Sequence, residues 1–477
     1  MLLTLEPAPV WPLGQSSTCL TWQIPPSPRS DLKPSPLLNI PPELIHEIFI
    51  HLNYQALASV RLVCRVFYDV TTSRQFCHER IREVSSRPGV DTIGISLEDS
   101  PIEELTRWFL HRLRVRDQWL SPRPPRFRTR LINGTTSYVQ TTVLSGGRWM
   151  LGLDFNGNIR VFDLDRVQSR PRLLFRTMKA REFPLTKVQT WVDEREKGQC
   201  FRVGVYNLEC LPSMATRIHI YRVEVNGSGT DASLSASPVA FFPESHRQGP
   251  RFSLCFNQDY LLQTCLFFDG PVFDLTSTRV ELRRYTEPQT TCELKLPVGY
   301  DPGLIQAVFL PHDRIAVIVP DSISVYNIEH PDESTLALTP LHTISATQSP
   351  TILSAPFIGQ SEVHFITHCN NEIKKITFSH DSALAPTVTT LGELKFDRDD
   401  SEAYIKFGPS TALFLASDAQ FKIATYSLDS SAPFARKSYV RSSHSLWHIQ
   451  WIAAFDEASG RIVLECNGND LLVLDLI

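Results

Sequence analysis

"RWMLGLDFNGNIRVFDLD", Arg148 to Asp165, decides the fold. Two β-patterned runs flank Phe155-Asn156-Gly157-Asn158. Asn-Gly between such runs is a strong hairpin signal, because both residue types tolerate the positive φ that tight turns require. Six further stretches share the design: "CFRVGVYNLECLPSMATRIHIYRVEV", "YLLQTCLFFDGPVFDL", "IAVIVPDSISVYNI", "VHFITHCNNEIKKITF", "ALFLASDAQFKIATYSL" and "RIVLECNGNDLLVLDLI". Their second runs finish near Leu164, Val223, Leu275, Ile328, Ile376, Leu428 and Leu474, at spacings of 59, 52, 53, 48, 52 and 46 residues. A regular period of this length with a hairpin in every unit signals a repeat architecture. A four-stranded sheet needs about that many residues, and radial repetition buries each sheet against its neighbours while hiding the edges. The reading is a β-propeller of six or seven blades, with a pair of sandwiches as runner-up. The last run ends almost at Ile477, which suits a ring whose ends pair. The WD dipeptide and the Gly-His signature are absent, so the propeller is divergent.

The totals agree with a folded, multidomain α plus all-β chain. Apolar residues make up 42% and charged residues 21% of 477, near the globular average. A net charge of −4 argues against nucleic acid as an obligatory partner. Ten scattered cysteines without a C-x-x-C read as thiols in a reducing compartment. The equal spacing of Cys200/Cys210 and Cys255/Cys265 favours paired hairpin strands over disulfides. Residues 1–36 read as a disordered Pro/Ser-rich leader, since Pro7, Pro9 and Pro12 interrupt any signal-peptide core. No run of 18 apolar residues occurs, so no membrane span is expected, and the sequons at Asn133 and Asn226 are read as chance. The expected location is cytoplasmic or nuclear.

Ahead of the repeats the apolar period is 3.6. Residues 37–85 read as a helical module, 86–126 as a linker with an amphipathic helix, and 127–477 as the propeller domain. Leu44, Ile45, Ile48, Phe49 and Leu52 share one helical face, entered through Pro41-Pro42 with Glu43 in the first turn. Asn53 caps a second helix with Leu57 and Val60 inward, and Val63, Phe67 and Val70 form a third stripe. In "SPIEELTRWFLHRLRVRDQWLSP", Ser100 is expected to cap, with Pro101 at the first position and Glu103 completing a capping box. From Arg107 to Arg130 there are eight arginines and one acid, Asp117. Such a run suits either a nucleic-acid contact or a solvated, domain-packing face; no groove-reading motif accompanies it, which favours the second.

The front module holds more large apolar residues than a helical triplet of its size can cover. Either the propeller covers the surplus or another protein does. "IPPELIHEIFIHLNYQALASVRLVCRVFYDV" resembles an F-box of the fungal type, through Ile40, Pro41, Glu43, Leu44, Ile48, Phe49, Leu52, Leu57, Val60, Val63, Cys64, Arg65 and Phe67. Ile40 stands where leucine is usual, and Gln55-Ala56 where an acid often precedes Leu57. The resemblance implies a three-helix F-box that docks a Skp-type adaptor and, through it, a cullin. It also implies that the β-propeller holds an unknown substrate protein for an SCF-type ubiquitin ligase. Ile40, Pro41, Leu44, Ile48, Leu52, Leu57, Val63 and Phe67 would carry the docking, the last three partly as core. The alternatives are a propeller enzyme or ligand-binding protein capped by its front helices, and an F-box protein acting with the adaptor outside the ligase.

No catalytic motif with specific spacing appears: no G-x-S-x-G, H-E-x-x-H or P-loop. No catalytic residue, metal or cofactor is therefore implied, and neither nucleic acid nor membrane is expected as a partner. Asp154, Asp269, His364 and Asp418 lie near strand ends, where polar residues belong in any case. Trp191, Trp447 and Trp451 are read as blade packing ahead of partner anchors.

Overall fold

The computed structural model describes residues 40–87, 90, 95–121, 123, 125–132, 138–166, 170–177, 185–192, 200–208, 216–227, 231–242, 248–269, 274–285, 287, 290–296, 305–331, 335–345, 352–354, 356–359, 361–369, 372–393, 405–415, 421–426, 436–440, 449–466 and 470–477. The leader, Cys210, Asp418, Trp447 and the Asn467-Gly468 pair lie outside them.

Five helices come first: α1 (Pro42–Phe49), α2 (Tyr54–Val60), α3 (Arg65–Thr71), α4 (Arg74–Ser85) and α5 (Ile102–Leu120). α1 starts on proline, whose missing N–H costs nothing in a first turn. The Asn53 side chain accepts from Ala56 N at 2.9 Å and caps α2 as read; Ser73 does the same for α4 through Phe76 N at 3.2 Å. Two expectations fail locally. Val63 is not in the third helix, because residues 61–64 form a turn and α3 opens at Arg65. Ser100 does not cap α5: its buried hydroxyl accepts from Ser96 N at 3.1 Å, and the Pro101 carbonyl takes the first helical N–H groups instead, from Glu104 and Leu105.

Seven antiparallel sheets follow, one per repeat. Blade I runs from Tyr138–Val143 to Arg172–Arg176, blade II from Leu185–Val192 to Ser233–Phe242, and blade III from Gln248–Phe256 to Thr291–Lys295. Blade IV runs from Gln306–Leu310 to Ala337–Ser345 and blade VI from Ile405–Phe407 to Arg436–Val440. Blade V spans Ile352–Leu353 to Thr387–Glu393, its first strand split into two short pieces that both pair with Glu362–Cys369. Blade VII combines Ile449–Asp456, Arg461–Cys466 and Leu471–Leu476 with a strand from the other end of the domain, Phe127–Ile132. That strand pairs in register from Phe127↔Leu476 to Ile132↔Leu471, which closes the ring as the sequence suggested.

The core is not one mass but seven layers, each between neighbouring blades. Trp149 and Leu151 meet Phe201 and Val203 between I and II; Ile218 and Phe242 meet Phe256 and Leu261 between II and III. Leu262 and Val280 meet Ile315 and Val317, and Ile318 and Val325 meet Phe365 and Ile376. Ile366 and Ile373 meet Ala412 and Phe414, then Leu413 and Ile423 meet Ile462 and Leu464. Met150 and Phe162 meet Val463 and Val473, returning to blade I. Every strand pair therefore faces an apolar neighbour on both sides, and the blade count is seven.

The Arg148–Asp165 hairpin is as read. Gly157 adopts φ 75°, and the Asp154 carboxylate accepts from Asn156 N and Asn158 N at 2.9 Å each. Burial pushes the Asp154 carboxyl up, but these bonds and those from the Asn158 side chain and Arg160 outweigh it and hold it below the ordinary value. In blade III the second strand of the hairpin, third in the blade, is Asp274–Arg284, so Leu275 lies at its start instead of its end. Val280 and Leu282, buried and alternating with Glu281 and Arg283, carry the strand onward. Cys255 and Cys265 sit on adjacent strands, but their registers pair them with Leu262 and Arg251, so they do not bridge each other.

Candidate protein-docking face and its mounting

The helical module divides its apolar residues into two sets. Ile45, Phe49, Leu57 and Phe67 turn inward with Phe76, Ile81, Leu105 and Phe109, and the Phe49 and Phe67 rings meet edge to face at 5.0 Å. Leu44 and Ile48, on the same short helix as Ile45 and Phe49, are 55% and 54% exposed. Leu62 and Val63, in the turn before α3, are 88% and 65% exposed, and Val66 and Tyr68 follow them outward on α3. Pro41 is exposed at the mouth of α1, while Ile40 and Leu52 are half-buried against the inner cluster. Of the eight residues singled out from sequence, Pro41, Leu44, Ile48 and Val63 are thus open to a partner. Leu57 and Phe67 support them from inside, and Ile40 and Leu52 lie at the edge.

Leu62, Val66 and Tyr68 were not read from sequence. Leu62-Val63 is a consecutive apolar pair, which no single helical stripe can bury; that signal was present, but a continuous third helix obscured it. Fully burying a side chain of this size contributes about 1.5–3 kcal/mol, so several in one region form a strong latent interface.

The outward set is held by buried polar fastenings. Arg80, 2% exposed, donates to the Ile50 carbonyl and to the Leu52 carbonyl at 2.9 Å, fixing the chain between α1 and α2, and pairs with Glu83 at 2.5 Å. Buried His46 shares a 2.6 Å hydrogen bond with Glu79 of α4, which draws the Glu79 carboxyl below its usual value. Arg74 donates to the carbonyls of Leu97, Glu98 and Ser100, tying the segment before α5 to α4.

α5 mounts the module on the ring. Val115 and Trp119 enter the layer between blades VI and VII, and Trp119 Nε1 donates to the Glu457 carbonyl at 3.1 Å. His111 Nε2 bonds the Ser459 carbonyl at 3.0 Å, and burial pushes its pKa down, with Arg112 adding to the effect. Gly460 has φ +68°, and a Cβ there would come within 3.0 Å of the Val115 side chain. The basic helix is therefore a domain-packing element, as favoured from sequence.

The propeller residues weighed for chemistry scatter. Asp154 organises a hairpin. His364, in blade V, lies 3.3 Å from Thr377 Oγ1 and 3.5 Å from Glu362, and Asp269 ends a strand of blade III. Trp191 packs on the layer between blades II and III, with Arg202 over its ring, whereas Trp451 is 37% exposed. Among the described residues no cluster of His, Cys, Asp and Glu could hold a metal, and no helix is long and apolar enough to cross a membrane.

Residues 37–81 match the F-box-like family. Among solved structures, the chain is similar to the C-terminal WD40 domain of Sif2, at 11% identity over 73% of this chain and 99% of that one, TM-score 0.39. It is similar also to the RRP9 WD40 repeats, at 10% identity over 74% and 99%, TM-score 0.41. No curated protein matches.

Proposed function

We propose that this chain, an F-box-like helical module ahead of a seven-bladed propeller, is the substrate-recognition subunit of an SCF-type ubiquitin ligase. In this reading the outward face of α1, the 61–64 turn and α3 docks a Skp-type adaptor, the adaptor brings the cullin, and the propeller holds a substrate protein. One observation carries it: Leu44 and Ile48 stay exposed although the propeller is attached to the same module. A structural cap would have turned these residues onto its own ring. Helices with apolar residues at i and i+4 suit a helix-in-groove interface. The reduced cysteines Cys64, Cys77, Cys255, Cys292 and Cys466 fit a cytoplasmic or nuclear setting.

Co-purification of the full chain with a Skp-type adaptor tests the proposal. Wild type should bring down adaptor and cullin, and Ile48→Asp should lose both, because docking would bury an unpaired carboxylate. Proteins retained by the mutant would be candidate substrates. Failure of the wild type to bind any Skp-type adaptor would overturn the reading.

A further inference from the structure

The arginine run from Arg107 to Arg130 is only partly used in mounting α5, and its remainder converges. Arg107, His111 and Arg112 on α5 face Arg128 and Arg130 on the strand Phe127–Ile132 across a cavity of about 520 Å³, closed behind by blades I and VII. Alternation along the strand puts Arg128 and Arg130 on one side, while i and i+4 spacing puts Arg107 and His111 on one helical face. Seven arginines and four acids line the cavity. The acids are shared: Asp475 serves Arg130 at 2.7 Å and Arg461 at 2.6 Å, and Asp163 serves Arg148 at 3.0 Å and Arg166 at 3.2 Å. Among the described residues neither Arg107 nor Arg128 has a carboxylate within ion-pair distance. The result is a positive concavity in which Arg130, Arg148, Arg166 and Arg461 are held by carboxylates, while Arg107 and Arg128 add charge at its exposed rim.

We propose that this cavity binds a small anion carrying two or more phosphate groups, at the joint between helical module and propeller. Guanidinium forks match phosphate oxygens bidentately, and shared carboxylates fix the forks without neutralising them. The volume falls in the range of about 300–1,000 Å³ typical of small-molecule sites, which favours a compact anion over an extended chain. Because its walls come from α5, the strand 127–132 and two blades, the ligand would tie the docking module to the ring. The inference is independent of what the outward face of α1 binds.

The test is calorimetric titration of the full chain with pyrophosphate, ATP and inositol hexakisphosphate in near-physiological salt. Saturable binding that tightens with phosphate number is expected. Arg107→Gln combined with Arg128→Gln, both exposed residues, should weaken it by about tenfold or more with an unchanged melting temperature. Arg172→Gln, exposed on the outer strand of blade I and outside the cavity, should leave affinity unchanged. Absence of saturable binding, or equal behaviour of the two variants, would overturn the proposal. A phosphoserine peptide that displaces these anions at lower concentration would overturn it too, making the cavity a peptide site.

Discussion

Residues 461–476 and residues 42–71 each present an apolar layer that their own sequence neighbours cannot cover. For the first, the cover is blade I: Met150 and Phe162 pack on Val463, Leu471 and Val473, which are 0%, 1% and 0% exposed. For the second, the described residues supply only half a cover, and Leu44, Ile48, Leu62 and Val63 remain outside. One layer is completed within the chain; the other, in the proposed reading, is completed by a partner. The same kind of residue would then serve folding at one end of the molecule and, as proposed, recognition at the other.

Breaking the completed layer should have the largest effect. Val473→Asp places a carboxylate in the seam between blades VII and I, opposite Val463 in the ladder. A buried, unpaired charge costs about 4 kcal/mol or more, enough to consume much of a domain's stability. Loss of soluble protein, or a melting temperature lowered by well over 10 °C, is the expected readout. A near-wild-type melt would mean that the ends of the ring do not depend on each other.

The comparison sharpens at adjacent residues of α1. Ile45 is 2% exposed and Leu44 is 55% exposed. Ile45→Asp should destabilise the helical module by about 4 kcal/mol, whereas Leu44→Asp should change stability by about 0.5 kcal/mol or less and act on partner binding alone. Thermal unfolding beside an adaptor pull-down separates the two. If Leu44→Asp unfolds the module as well, the face is internal packing. Arg80→Met stands between them: it deprives the Ile50 and Leu52 carbonyls of their donor and should cost about 2–3 kcal/mol.

The ring was legible because its signals are local and repeated. Asn156-Gly157, alternation in each hairpin and the even spacing needed no tertiary knowledge, and they led to a ring whose ends pair, although not to Phe127–Ile132 as the strand that does so. In blade III the expected hairpin is present, with Asp269 paired to Asp274, but its second strand runs on to Arg284 instead of finishing near Leu275, because the charged Glu281 and Arg283 interrupt the apolar run that marks a strand in sequence. In the helical module, periodicity placed Leu44, Ile45, Ile48 and Phe49 on one broad face, but it could not say which half of that face the chain itself buries. That division depends on where α4 and α5 pack, which is set by fastenings such as Arg74 to the 97–100 carbonyls and Arg80 to the 50–52 turn. Long-range bonds between a charged side chain and a carbonyl leave no periodic trace. The same limit explains why the arginine run could be read as basic but not as one wall of a cavity, another wall of which, at Ser459, Arg461 and Asp475, lies more than 300 residues away.

The last predicted effect lies where module and ring join. The Glu457 carboxylate accepts from Ser410 N at 2.9 Å and from the Ser410 hydroxyl, while the Glu457 carbonyl receives Trp119 Nε1. Burial raises its pKa to about 7; the Ser410 bonds pull it down and the neighbouring Asp456 pushes it up. An acid whose folded pKa exceeds its unfolded value holds more protons when folded, so its contribution is full below about 4.5 and lost as pH rises through about 7. His111, depressed by burial, works in the opposite sense and withdraws stability as pH falls below its ordinary 6.5. The melting temperature should therefore fall between about pH 5 and pH 8 by an amount that Glu457→Gln removes, while the acid-side decline due to His111 persists in that variant. If the alkaline slope survives Glu457→Gln unchanged, this carboxyl is ionised in the folded chain and the joint is insensitive to it.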